Sequence, residues 1–233
     1  MGSLDKIRKR LGGIPLGRRE AAQAMLLMAN LRREGWLQST TRGALDAEGN
    51  QVPWLTYAAV HWLDRVLRPH HRVFEFGSGS STIWLAHRVK SIVSVEHDTA
   101  WVEVVRAHLP ANATLHLMEA RGDEVEAPSD DPYTRVLRDA DAQFDLILID
   151  GVARNSCARL AVERLAHTGV ILLDDADRLA YRPAHEYMGE HGFGRLDFYG
   201  PKPGVGYLST TSVFSRNLDA WLHDLEPPPV SGY

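Results

Sequence analysis

Val73-Phe74-Glu75-Phe76-Gly77-Ser78-Gly79-Ser80-Ser81-Thr82 is the stretch on which the fold of this chain turns. An apolar run of β type, residues 73–76, breaks into a glycine-rich turn, and the turn opens a helical pattern that runs from Thr82 to Val89. Gly77 and Gly79 let the backbone bend and approach a ligand, while the helix start presents unpaired N–H groups. The next apolar run, Ser91-Ile92-Val93-Ser94-Val95, ends in Glu96, the expected place for a carboxylate that accepts hydrogen bonds from two ribose hydroxyls. Strand, glycine turn, helix, strand and acid in this order describe a nucleotide cradle far more specifically than glycines alone.

Outward from that unit, strands and helices alternate. Strands are expected at 73–76, 91–95, 113–118, 144–149, 169–174, 193–199 and 207–214, and helices at 81–89, 99–108, 132–140, 155–166 and 178–190. Alternation of this kind implies a parallel sheet with helices on both faces. Only Gly200 to Gly206 separate the last two strands, too short a link for a crossover helix, so the last strand is expected to be antiparallel. The fold class is therefore α/β: a doubly wound, mostly parallel seven-stranded sheet with an antiparallel terminal hairpin, plus an N-terminal helical extension. The hairpin is absent from the ordinary dinucleotide-binding dehydrogenase sheet, and Thr82 stands where the NAD fingerprint wants a glycine.

Composition bounds the rest. The 233 residues suffice for one domain with a real core, and 44% apolar content is ordinary for a globular protein. No apolar run approaches the roughly 18 residues of a membrane span, and the first ten residues lack the apolar stretch of a signal peptide. One cysteine, Cys157, leaves no internal disulfide and no cysteine-rich zinc site. These features make a cytoplasmic protein the expectation. A net charge of −4 gives no general attraction for nucleic acid, and the basic cluster Lys6, Arg8, Lys9, Arg10, Arg18 and Arg19 reads as a solvated tail.

Residues 18–34 carry Ala21, Ala24, Met25, Met28 and Leu31 at helical spacing and stop at Gly35. Met25 to Met28 are expected in the core. Residues 1–53 form an extension that can act as a lid over the cleft or as a contact for a homo-oligomer. The main domain is expected over 54–222, and 223–233, with Pro227 to Pro229, as an extended tail. His70 and His71 are expected on the surface, and the acidic segment 121–132 as a solvated loop.

Ligands of open α/β sheets sit at the carboxyl ends of the strands. Those ends carry Glu75 and Gly77, Glu96 and His97, Met118 and Glu119, Asp150 and Gly151, then Asp174 and Asp175. Carboxylates repeated at successive strand ends are costly unless they bind something.

Glu75-Phe76-Gly77-Ser78-Gly79 resembles motif I of the class I S-adenosylmethionine (SAM) methyltransferases, with Ser81 in place of the usual third glycine. Phe144 to Gly151 resembles motif IV of that family, and Gly169 to Asp175 its fifth-strand motif. Trp54-Leu55-Thr56-Tyr57, Ser81-Thr82, Glu96-His97-Asp98 and Asp150-Gly151-Val152-Ala153-Arg154 are similar to a bacterial group tied to small-molecule, glycan and secondary-metabolite pathways. The resemblance covers about residues 55–215. It implies SAM as cofactor, held by Glu75, Gly77, Ser78, Gly79, Ser81, Thr82, Glu96, His97, Met118, Glu119 and Asp150. Of these, Glu75 would hold the methionine end, Met118 would lie against adenine and Glu119 near its exocyclic amine. It also implies a small-molecule or sugar-like acceptor methylated at oxygen, with the transferred methyl near Asp150, while the net charge and the lack of long apolar runs give the expectation of no nucleic-acid and no membrane partner.

Deprotonation of an acceptor hydroxyl has three candidates: Asp150, His97 and a divalent metal. Metal-dependent members of the family place ligands at the ends of the fourth and fifth strands, positions held here by Asp150 and Asp175. The third usual ligand corresponds to Ala176, with Asp174 or Asp177 as substitutes. Oxygen ligands of this kind favour Mg²⁺ or Ca²⁺. Asp150, His97 and Asp175 are the candidate catalytic residues, and Ala176 tips the expectation towards a metal-free reaction in which Asp150 orients the acceptor and either it or His97 accepts the proton. Arg154 and Arg178 can clamp an anionic group of the substrate or pair with the neighbouring acids. Two other readings remain: a SAM-binding module without catalysis, and an NAD-linked oxidoreductase.

Overall fold

The computed structural model describes residues 17–39, 43–223 and 225. The basic residues Lys6 to Arg10 and the tail prolines lie outside them, as do the side chains of Arg18 and Arg19.

Seven strands form one sheet: β1 (Arg72–Phe76), β2 (Ser91–Glu96), β3 (Ala113–Leu117), β4 (Phe144–Ile149), β5 (Leu165–Leu173), β6 (Gly194–Pro201) and β7 (Leu208–Ser215). Their spatial order is β3-β2-β1-β4-β5-β7-β6. β1 to β5 pair in parallel, and β7 runs antiparallel between β5 and β6. The strand order reverses between β1 and β4, which opens a crevice at the carboxyl ends of those two strands.

Alternation along each strand sends residues to two separate cores. Phe74, Phe76, Ile147, Ile149, Ile171 and Leu173 pack on one face, under helices α5 (Pro132–Arg138), α6 (Arg154–Arg164) and α7 (Arg182–Glu190). Val73, Leu146, Leu148, Val170, Leu172 and Val213 pack on the other. There they meet α2 (Tyr57–Val66), α3 (Ser80–Ala86) and Trp221 of α8 (Asp219–Leu222). Helix α4 (Thr99–Arg106) is capped by Asp98, whose side chain accepts from the N–H groups of Ala100 and Trp101. No helix among the described residues is long and apolar enough to cross a membrane.

Three expectations are corrected. Helix α1 (Arg18–Arg33) forms, but Met25, Leu26, Leu27 and Met28 are exposed, Met25 by 73%, because no described residue covers that face. His71 is half-buried rather than on the surface: its ring packs on Trp221 with centroids 4.5 Å apart, and Nδ1 accepts the Arg68 N–H at 3.2 Å. The acidic segment is not simply solvated either. The carbonyls of Asp123, Glu124 and Val125 accept from the N–H groups of Ala153, Arg154 and Asn155, so this loop caps the start of α6.

Candidate active site at the carboxyl ends of the strands

The turn after β1 is built around Glu75. This acid is 1% exposed, and its carboxylate accepts from the hydroxyls of Ser81, Thr82 (2.5 Å) and Ser94 (2.6 Å). Thr82 Oγ1 also accepts the Gly79 N–H at 3.0 Å. Thr82 thus ties the glycine turn to the acid behind it, a task that a glycine in its place would leave undone. Burial pushes the Glu75 carboxyl up to about 7, against the pull of the three hydroxyls. Gly77 has φ +90°, and a Cβ there would stand 3.1 Å from Gly151 N, so the β1 turn and the end of β4 lie back to back.

Glu96 is buried at the end of β2. One oxygen accepts from Ser78 N–H (3.0 Å) and Ser78 Oγ (3.2 Å), the other from the N–H groups of His97 (2.7 Å) and Asp98 (3.0 Å). His97 turns Nδ1 to the same carboxylate at 3.0 Å and packs edge-on against Tyr133. Met118 follows β3, joined to Glu96 through its N–H (2.9 Å), and Glu119 is exposed beside Arg121. Met118 lines a different cavity of about 630 Å³ beneath α5, together with Val93, Pro132 and Val136. That larger cavity is set apart from the acids at the strand ends.

A cleft of about 390 Å³ opens where the strand order reverses, lined by Trp54, Ser78, Trp101, Asp150, Lys202, Val205 and Tyr207. Trp101 Nε1 donates to the Ser78 carbonyl at 2.6 Å and sets an indole beside the turn. Trp54 Nε1 donates to Pro203 O (2.7 Å) and Trp36 Nε1 to Val205 O (2.9 Å), which fixes the β6–β7 connection as the opposite wall.

Asp150 lies in that wall with its side chain 25% exposed. Burial first, then the Asp174 charge, pushes its carboxyl up to about 8, with Arg154 and Lys202 pulling the other way. Arg154 is buried and its donors are spent within the fold. Nε donates to Gly151 O (2.8 Å), Nη1 to Asp174 O (2.6 Å), and Nη2 to the carbonyl (3.0 Å) and Oδ1 (3.1 Å) of Asp150. Arg154 therefore clips the ends of β4 and β5 together. Arg178 reaches Glu124 and Asp175 Oδ2 (2.6 Å) at the rim. Ala153 (φ 54°) and Asp175 (φ 51°), just past β4 and β5, hold left-handed backbone without being glycine, the kind of strain that collects at functional sites.

The divalent-cation site considered as the alternative at Asp150, Asp174 and Asp175 finds those carboxylates already engaged. Lys202 holds its ammonium against Asp174 Oδ2 and Asp175 Oδ1 (2.8 Å), Thr211 Oγ1 donates to Asp174 Oδ1 (2.8 Å), and Ser209 Oγ to Asp175 Oδ1 (2.8 Å). Among the described residues, no group of three or more His, Cys, Asp or Glu side chains is arranged to hold a metal ion. Mg²⁺ thus finds no support in these residues. Lys202 and Tyr207 were not foreseen as cleft residues. The only signal was a lysine between two prolines, Pro201-Lys202-Pro203, in a connection that faces the mouth.

Comparisons with known proteins agree with this arrangement. Residues 74–176 match the model of a methyltransferase domain family. A catechol O-methyltransferase from Mycobacterium tuberculosis is 31% identical over 140 residues, covering 52% of this chain and 60% of that protein. A 23S rRNA (uracil(1939)-C(5))-methyltransferase from Mannheimia succiniciproducens is 27% identical over 171 residues, covering 68% of this chain and 35% of that protein. The chain thus spans less than two thirds of either relative. Among solved structures, an O-methyltransferase of tomaymycin synthesis from Streptomyces achromogenes, in complex with SAM, superposes with a TM-score of 0.55 at 14% identity, covering 93% of this chain and 100% of that one. The cofactor-bound protein Rv0187 from MTB superposes with a TM-score of 0.53 at 20% identity, over 91% of this chain and 96% of that one. At these identities the structures share the fold. Over residues 74–176 the chain is thus similar to a methyltransferase domain, and its fold is the one these SAM-bound and cofactor-bound structures share.

Proposed function

We propose that this chain transfers the methyl group of SAM to an oxygen of a small acceptor bound in the cleft beside Asp150. The observation that carries the reading is the cleft itself, where the Ser78 turn and the carboxylate ending β4 both line a cavity sized for a small molecule. The residues fit the cofactor. Glu96 holds Ser78 Oγ at 3.2 Å, the longest of its hydrogen bonds to the turn and the one a ribose hydroxyl would replace. Trp101 offers an indole face, and Gly77 leaves no side chain between the turn and β4. Bound SAM supplies a methyl group on a positively charged sulfur, and its transfer makes an O–CH₃ bond while the electron pair of the broken S–CH₃ bond stays on sulfur.

The protein's share is to position, to exclude water and to take a proton. Asp150 is the proton acceptor in this reading, because its surroundings favour the protonated form more than an ordinary carboxylate's would. Arg154 holds Asp150 in place, and the segment after α1, docked by Trp36 on Val205, covers the acceptor side. A small acceptor accords with the relative that acts on catechol, whereas a net charge of −4 offers little to an RNA backbone.

Calorimetry tests the cofactor site. SAM should bind to the wild type, and Glu96→Ala should bind it at least tenfold more weakly, since a hydrogen bond to a charged group contributes about 1.5–3 kcal/mol. A screen of hydroxylated acceptors with methyl-labelled SAM tests the reaction. Equal SAM affinity in wild type and variant would remove the ribose assignment.

A further inference from the structure

Asp174 and Asp175 are the acids nearest the place where a divalent ion would be sought, and a side chain of the same chain already occupies it. Lys202 enters from the connection between β6 and β7 and is 5% exposed, yet it forms part of the cleft wall beside Asp150. Two of its three N–H groups are committed, one to Asp174 and one to Asp175. The carboxylates are anchored from behind by Thr211, Ser209 and Arg178, so the cation is held in a fixed frame. Burial alone would strip the proton from such an amine, but Asp174, Asp150 and Asp175 keep it charged well above the ordinary lysine range. An ammonium locked in this way is not the base of the site. It is a permanent positive point charge.

We propose that the Lys202 ammonium is the working cation of this site, donating its third N–H to the acceptor oxygen beside Asp150 in place of a divalent metal. The inference rests on the methyl-transfer reading and deepens it. The acceptor O–H bond breaks, its proton passes to the Asp150 carboxylate, and the electron pair left on oxygen becomes the nucleophile. A fixed positive charge in a site shielded from water favours the developing oxyanion without reorganising at the moment of reaction. One ammonium is a weaker acidifier than a metal ion, so the acceptor class is an acidic hydroxyl such as a phenol. Trp54 and Tyr207 in the cleft wall suit a flat aromatic ring.

The test asks whether an ammonium and a divalent ion compete for one place. Free Mn²⁺ is followed by electron paramagnetic resonance with wild type, Lys202→Ala and Lys202→Ala/Asp174→Asn, without acceptor. The wild type should leave Mn²⁺ free, Lys202→Ala should take up about one ion per chain, and the double variant should lose it. With an acceptor in hand, the wild type should be indifferent to chelator. Lys202→Ala should lose at least a hundredfold in kcat at unchanged SAM affinity and regain part of it with Mn²⁺. If Lys202→Ala does not fold, Lys202→Arg keeps the charge but moves it, and kcat should fall tenfold or more in a protein that melts normally. The proposal is overturned by wild-type turnover that vanishes with chelator, by unchanged turnover in Lys202→Ala or in a normally melting Lys202→Arg, or by a folded Lys202→Ala that takes up no Mn²⁺. Failure of SAM to bind at all would instead remove the methyl-transfer reading, and the Mn²⁺ experiment does not depend on it.

Discussion

Replacing Glu75 with Gln should take away a pH-dependent loss of stability that the wild type carries. Glu75 is sealed behind the glycine turn, and burial lifts its carboxyl from about 4.5 to about 7 although three hydroxyls donate to it. Between those two values the folded protein keeps the proton and the unfolded chain releases it. The folded state therefore binds more protons, and stability falls as pH rises. The contribution is present in full below about 4.5 and is gone once the pH passes about 7. At about 1.4 kcal/mol per pH unit the loss comes to roughly 3 kcal/mol, an upper figure for a protein whose turn can relax. Asp150 acts in the same direction and Asp175 in the opposite one, since Lys202 and Ser209 hold it below the usual carboxylate range despite its burial. The informative quantity is thus the difference between the two proteins. Gln cannot ionise, and its amide can accept one hydroxyl while donating to others that rotate. Urea unfolding at pH 5, 6, 7 and 8 should give near-equal stabilities at pH 5 and the Glu75→Gln variant ahead by about 2–3 kcal/mol at pH 8, with unchanged m-values. A difference that stays constant across that range would refute the reasoning, because Glu75 would then carry the same charge in both states.

Two further substitutions probe the site's frame. Gly151→Ala places a Cβ 2.0 Å from Tyr133 Oη and 2.8 Å from Gly77 N, so it should cost about 1–3 kcal/mol in thermal or urea unfolding. Tyr133→Phe removes the buried hydroxyl that the new Cβ would meet, and it should recover part of that loss in the double variant; strict additivity would show that the hydroxyl is not the obstacle. Trp54→Phe deletes the 2.7 Å bond to Pro203 O and loosens the connection that carries Lys202, worth about 1 kcal/mol. It should raise the acceptor KM about fivefold with SAM affinity unchanged, and an unchanged KM would mean that the indole does not hold this wall.

The sheet was legible because its signals are local. Phe144 to Ile149 is a continuous apolar run of strand length, and seven residues between the last two strands leave room only for a hairpin. Acids at strand ends were legible for the same reason, since position along the chain maps directly onto the carboxyl edge of a parallel sheet. Partners were not. Lys202 lies 28 residues from Asp174, and nothing in Gly200 to Gly206 indicates which carboxylates its ammonium will meet. Their meeting depends on β7 slotting between β5 and β6. Arg154 was legible as a charge at the mouth, but its planar fork turns inward to three backbone carbonyls that no side-chain pattern encodes. Helix α1 fails differently. Its apolar stripe specifies a helix correctly but says nothing about whether this chain supplies the surface to cover it.

The acids at the strand ends looked equivalent in the sequence, and the fold grades them by what has already claimed their oxygens. Glu75 is closed off by three hydroxyls and serves the turn. Glu96 accepts from Ser78, His97 and Asp98 but lies beside the turn, where one weak hydroxyl contact can be exchanged for a ligand's. Asp174 and Asp175 are spent on Lys202 and on the hydroxyls of Thr211 and Ser209. Glu119 stands in solvent, with the exposed Arg121 beside it. Asp150 alone among them combines a low-dielectric setting, a partner that fixes its orientation and a surface open to the cleft. Those are the three requirements of a group that must meet a substrate and change its protonation there. The same grading assigns Lys202 its position: its ammonium is paired with Asp174 and Asp175, and its side chain lines the cleft that Asp150 also lines.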